Sequence, residues 1–255
     1  MKTTNHTGTC RSYGACMVLL VLALCYSCTK DTATRDVNEP PPGDTAVNTG
    51  LFYKLQRVEN FAGDTAYDGA PDGIRSAMYF SLERKESVPK LYQKSSHWDL
   101  VFHSIFNSSI GCNNGKDATP SSHGAGGNGI GGITILAKDF DQVTDIPTDA
   151  EIKGNGGVGL DEAGNYGYGL GWCLYDFGGT IKGDGSYNKS HVCYALPERT
   201  IIVRTAKGHY AKIRMISIYK NAFSPEQWLR NVPAPYFTFE YLMVPKGSTR
   251  FELKP

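Results

Sequence analysis

An excess of charge of either sign is missing from this chain: 26 Lys and Arg face 25 Asp and Glu, a formal net charge of +1. The basic residues are scattered, so the clustered positive surface with which a nucleic-acid binder tracks phosphates is not there. Also missing is any long stretch with apolar residues at helical spacing, which favours strands and loops over helices. The apolar run Met17 to Leu24 is too short to span a bilayer as a stable helix. No G-x-S-x-G, H-E-x-x-H or paired-acid motif occurs in a recognisable context, so the chain does not read as an enzyme. Glu151, Asp161 and Glu162 read as solvated loop charges. The glycine-rich run from His123 to Gly132 lacks the Lys-Ser/Thr ending of a phosphate loop and precedes no helix, so it reads as a flexible loop. Cysteine is thin in the body of the chain. Of seven in all, only Cys112, Cys173 and Cys193 follow residue 28. Three is odd, so at most one internal disulfide forms, and without a C-x-x-C pair there a structural zinc site is not expected.

What is present begins with an address. Lys2 and Arg11 precede the run Met17 to Leu24, which has the size of a signal-peptide core. Cys25-Tyr-Ser27-Cys28 then reads as a relaxed lipoprotein cleavage site. Cys28 is the candidate lipidated residue, because Ser27 before it is small and Leu24 before Cys25 is not. An ordinary secretory peptide cut elsewhere is the other reading. Residues 1–28 are thus a lipoprotein leader, and residues 29–50, with Pro40 to Pro42 among polar residues, are a linker. The remaining residues 51–255, about 205 of them, suit one β-rich domain. Acyl chains on Cys28 would hold it to a membrane with no spanning segment.

Gly 29 and Tyr 15 are both high, which again suits strands and loops. The clearest element is residues 199–220, read as two strands and a tight turn. Ile201, Ile202, Val203, Ile213, Ile216 and Ile218 are β-branched, and Gly208 in Ala206-Lys207-Gly208-His209 is free to take a positive φ. Alternation sends Ala211, Ile213, Met215, Ser217 and Tyr219 to the core and Tyr210, Lys212, Arg214, Ile216 and Ile218 outward. Residues 51–58, 78–82, 133–136 and 235–244 read as further strands, the last with Phe237, Phe239, Tyr241 and Met243 on one core-facing side. Ser224-Pro225-Glu226-Gln227 has a helix-start signature and predicts one short turn through Arg230. In Ser96 to His103, alternation groups Trp98, Leu100 and Phe102 against His97, Asp99, Val101 and His103. The second group reads as a solvated outer face. Its two histidines are about 20 Å apart along an extended strand, too far to share a metal ion.

Residues 151–190 form a long segment with little regular pattern, rich in glycine and in aromatic residues: Tyr166, Tyr168, Trp172, Tyr175, Phe177 and Tyr187. A loop of this length is functional or disordered, and the aromatic content favours function. Cys173 and Cys193 end and begin the strands flanking this segment and are the candidate disulfide. Three buried free cysteines are the alternative.

Three segments together resemble the HmuY family of Bacteroidetes surface lipoproteins: Trp98-Asp99-Leu100-Val101-Phe102, Asp141 to Asp149, and Pro197 to Lys212. The sharpest part is R-T-A-x-G-x-Y-A-K at Arg204 to Lys212, and Phe237-Thr-Phe-Glu-Tyr241 and the leader fit as well. The resemblance implies an all-β, largely antiparallel HmuY-like fold with long loops at one end and at most a short helical turn. It also implies a hemophore role at the outer membrane or cell surface. Heme would be captured and passed to a receptor, such as a TonB-dependent one, for iron acquisition. Members of the family clamp the iron between two axial side chains, and His191 stands where one axial histidine is expected. Residues 153–190 hold no His or Met to pair with it. Tyr175, Tyr166, Tyr168 and Cys173 are there instead, and His123 on the glycine-rich loop is another candidate. The heme-iron ligand candidates are therefore His191, Tyr175 and His123, with Trp172, Tyr166 and Tyr168 as pocket candidates. The alternative is a surface binding or adhesion module for a glycan or protein, on the same fold without heme.

Overall fold

A computed structural model describes residues 48–63, 74–119 and 122–254. The expected leader, Cys28 and most of the linker lie outside the described residues. Among those described, no helix is long and apolar enough to cross a membrane. The helical elements are three-residue 3-10 turns, and the rest is strand and loop. The all-β expectation therefore holds.

Twelve strands follow in order: β1 (Leu55–Phe61), β2 (Met78–Ser81), β3 (Glu86–Val88), β4 (Leu100–His103), β5 (Ser109–Cys112), β6 (Gly132–Leu136), β7 (Gly157–Val158), β8 (Cys173–Asp176), β9 (Val192–Ala195), β10 (Thr200–Arg204), β11 (Tyr210–Ser217) and β12 (Phe237–Val244). One five-stranded sheet has the order β1-β12-β11-β10-β6, a second β3-β2-β4-β5-β7, and β8-β9 form a ribbon. All strand pairs are antiparallel. A parallel bridge from Leu160 to Cys173 carries the second sheet on, past β7, to the ribbon.

The two large sheets pack face to face through aromatic side chains. Phe80 meets Phe239 at 5.4 Å between ring centres, and Phe102 meets Phe237 at 4.6 Å. The expected stripe Phe237, Phe239, Tyr241 and Met243 is fully buried there. Leu242 and Val244, on the opposite side of β12, are buried under Phe140, Val143, Ile152 and Phe251. That second cover explains why Lys212, expected outward, is buried. Its ammonium donates to the Phe140 and Val143 carbonyls at 2.7 and 2.8 Å and lies over the Phe140 ring. A β-bulge between Met215 and Ser217 then breaks the alternation, and Ile218 is buried as well. Gly208 takes φ 92° in the β10–β11 turn, as expected. Pro225–Gln227 is a 3-10 turn with a Ser224/Gln227 capping box, ending short of Arg230.

The solvated face expected for β4 is corrected. Asp99 and Val101 are 1 % exposed, because Tyr79, Val88, Tyr92 and Trp98 form a small core over that side of the second sheet. Asp99 accepts from Leu82 N–H at 2.8 Å and from Ala206 N–H at 2.9 Å. Beside it, Glu83 accepts from the Thr205 hydroxyl at 3.0 Å and pairs with Lys207 at 3.0 Å. Two of the segments that carry the family resemblance thus fasten the start of the central strand of one sheet to the hairpin turn of the other. Their shared residues hold the fold together, and of those in the first segment Val101 also lines the cleft described below.

Residues 107–132, expected as one flexible loop, contain β5 and a closely packed glycine segment. The Asn113 amide donates to the Ser95 and Trp98 carbonyls at 2.8 Å each. Gly129 and Gly131 pass so near Asn113 that a Cβ on either would overlap it. The long segment 151–190 likewise contains β7 and β8.

Candidate functional site

The second sheet has one side on the inter-sheet core; its other side is covered by the small core over β3, β2 and β4 and is bare over β5 and β7. On the core side, Ile110 of β5 pairs with Val158 of β7, and both are buried. The neighbouring pair, Gly111 and Gly157, points the other way with no side chains. Gly159 continues the gap. A Cβ at Gly157 or Gly159 would have a single neighbour, at 3.8 and 3.7 Å respectively. This stretch of missing side chains is the floor of a cleft of about 780 Å³, a volume typical of small-molecule sites. Its walls are Val101 and His103 of β4, Ile105 and Phe106 after it, and the aromatic segment around Tyr166, Tyr168, Leu170 and Phe177.

Tyr175 and His191 mark one end of the cleft. Tyr175 Oη and His191 Nδ1 are hydrogen-bonded at 2.6 Å, and the His191 ring packs edge-on against Phe177 at 4.6 Å. Burial, with Arg230 nearby, lowers the His191 pKa and keeps the imidazole neutral at pH 7. Burial, with Cys193 and Tyr166 nearby, raises that of the Tyr175 phenol. At the other end, His103 and His123 face each other with ring centres 4.7 Å apart, and His123 Nδ1 lies 3.2 Å from Tyr79 Oη. Burial and the neighbouring His123 push His103 down to about 4. Burial and Lys90 lower His123. All three rings can therefore offer a lone pair.

Backbone strain collects at the same place. Among the described residues, nine that are not glycine have positive φ, and four of these, Ser104, Phe106, Tyr166 and His191, line the cleft. Such conformations cost about 1–3 kcal/mol each and persist where a site requires them.

The structure thus brings His191, Tyr175, Tyr166, Tyr168 and His123 to one cleft. It places Trp172 elsewhere: the indole is 1 % exposed, donates to the Ser108 carbonyl at 2.7 Å and packs near Phe237. The pocket role expected for Trp172 is corrected to a core role. His191 and His123 line the same cleft but have different neighbours, Tyr175 for the first and His103 and Tyr79 for the second. His103, beside His123, is on β4, and Tyr175, beside His191, is on β8. Two strands lie between β4 and β8, so the backbones are about 14 Å apart at 4.7–4.9 Å per strand. Residues that the sequence reading missed are His103, Phe177 as a wall, and Gly111, Gly157 and Gly159 as the floor. The glycines were the available signal, in the alternation of Val158 with Gly157 and Gly159.

Cys173 and Cys193 are unbonded, as is Cys112. The Cys193 sulfur lines the cleft and lies directly beside the Cys173 sulfur. Cys112 is turned toward the Gly154 carbonyl. Among the described residues no group of three or more His, Cys, Asp and Glu is arranged to hold a metal ion.

No protein-family model matches the chain, and no curated sequence matches it. Solved structures similar to it include apo PinO from Porphyromonas gingivitis, at 10 % identity over 76 % of this chain and 99 % of that one, with a TM-score of 0.34. A lipoprotein candidate from Bacteroides fragilis NCTC 9343 is similar at 13 % identity, over 74 % of this chain and 87 % of that one, with a TM-score of 0.28. An apo HmuY analog from Tannerella forsythia is similar at 14 % identity, over 76 % of this chain and 98 % of that one, with a TM-score of 0.28.

Proposed function

We propose that this protein binds heme in the glycine-floored cleft, with the Tyr175–His191 pair as the donor to iron. The observation that carries the reading is the cleft itself: a bare backbone floor, aromatic and aliphatic walls, and a tyrosine–histidine hydrogen bond at one end. A flat apolar macrocycle needs a slot without side chains on its floor. Its iron accepts imidazole or phenolate donors. With the Nδ1 proton donated to Tyr175 Oη, His191 offers Nε2; burial, which raises the Tyr175 pKa, keeps the phenol protonated and makes the imidazole the donor. His123, whose ring faces His103, is not assigned to the iron in this reading. We read the protein as a carrier, not an enzyme. Anchored through Cys28 at the outer membrane or cell surface, it would capture heme and hand it to a receptor.

Hemin titration tests this. The wild-type protein should give a saturable Soret shift, and Tyr175→Phe or His191→Ala should alter the bound spectrum. Gly159→Val fills the floor without meeting backbone. It should weaken binding at least tenfold, about 1.4 kcal/mol, with an unchanged circular dichroism spectrum. No saturable shift, or undiminished binding by a folded Gly159→Val protein, would sink the proposal. A second reading, a glycan- or protein-binding module, is favoured by the rim: Tyr168 is 92 % and Tyr166 74 % exposed. Saturable glycan binding with no change in the Soret region would select it.

A further inference from the structure

The loop between Cys173 and Cys193 carries Tyr175, Phe177 and His191, one whole end of the cleft. The two cysteines lie on paired strands: Tyr175 is opposite Cys193 and Cys173 is opposite Ala195. Their sulfurs are neighbours across the ribbon. They differ in access. Cys193 is half-buried and lines the cleft, whereas Cys173 is fully buried behind it. Cys112, the third thiol of the domain, is directed at the Gly154 carbonyl and does not compete for either partner. A thiol open to a cavity with a second thiol directly behind it is the arrangement of an attacking and a resolving cysteine.

We propose that Cys173 and Cys193 form a thiol-oxidation site served through the cleft, and that a small disulfide is the oxidant. The Cys193 thiolate attacks one sulfur of that disulfide and displaces the other as a thiolate, leaving a mixed disulfide on Cys193. Cys173 then attacks the Cys193 sulfur and displaces the second oxidant sulfur. The protons lost by the two cysteines end on the two released thiols. The two electrons pass to the oxidant, and one intramolecular bridge remains. The product is a closed loop, residues 174–192, whose ends are fixed where Tyr175 and His191 meet. This site is independent of what the cleft binds.

The test is a peptide map of the full chain. The protein is incubated with oxidised glutathione, quenched in acid, denatured, alkylated with iodoacetamide and digested with trypsin. Residues 154–182 hold Cys173 and residues 190–199 hold Cys193, with cleavage sites at Lys182 and Lys189 between them. The expected product is these two peptides linked, two hydrogens lighter than their sum. The link should form equally in Cys112→Ser and be lost in Cys193→Ser. Recovery of both peptides alkylated, glutathione remaining on Cys193, or a link from either cysteine to Cys112 would each overturn the proposal. None of these outcomes bears on heme.

Discussion

Asp99 should make stability depend on pH in a direction unusual for a carboxylate. It is fully buried, and burial together with the nearby Glu83 charge raises its pKa from 3.8 to about 7, against the opposing pull of the backbone N–H groups of Ala206, Leu82 and Glu83. Between pH 4 and 7 the folded protein therefore holds a proton that the unfolded chain has released. Stability from this group is fully present below the unfolded pKa of 3.8 and is lost as pH rises through about 7, the reverse of an ion-paired aspartate. With those two pKa values the loss between pH 5 and 8 is about 2–3 kcal/mol. His103, His123, His191 and His209 act oppositely, because burial lowers each of them. Wild-type stability alone would mix the two effects. The quantity to measure is the difference between wild type and Asp99→Asn in urea unfolding at pH 5, 6, 7 and 8. Asn imitates the protonated side chain, and its own cost of a mismatched hydrogen bond does not vary with pH. The wild-type advantage should shrink by about 2–3 kcal/mol across the series. Curves that stay parallel within about 0.5 kcal/mol would refute the buried-proton argument.

Trp172→Ala should cost about 3–5 kcal/mol in urea unfolding, as for a large aromatic taken from a core. A cost below about 1 kcal/mol would return the residue to the cleft wall. Tyr168→Ala should leave stability within about 0.5 kcal/mol, since the ring is 92 % exposed, while lowering hemin affinity several-fold in the Soret titration. An unchanged affinity would remove the rim from the binding surface.

The scaffold was far more legible than the site. The β10–β11 hairpin and β12 announce themselves through β-branched and aromatic residues at period two, because each has a face on the inter-sheet core. Lys212 and Asp99 went astray for one reason: alternation tells which residues share a face, not whether another segment covers that face. Residues 140–152 cover Lys212, and Tyr79 to Trp98 cover Asp99; both covers are tertiary facts with no local signature. β8 was hidden by its glycine-rich flanks. At the site, Tyr175 and His191 were found because chemistry-bearing residue types stand out in a glycine-rich stretch. Whether His123 shares their end of the cleft depends on how many strands intervene, which spacing along the chain does not encode. The floor escaped notice because glycine was taken as a mark of looseness, where here it is an absence of side chains that makes room.

Asn113 gives that segment another meaning. One amide group holds the turn before β4 in place, while its neighbours press against glycines that admit nothing larger. His123 rides on the same stretch of chain. A lesion at Asn113 would therefore travel: the start of a central strand, the tightly wound glycines and an imidazole at the cleft's far mouth would all lose their common peg, although Asn113 itself never meets whatever the cleft receives.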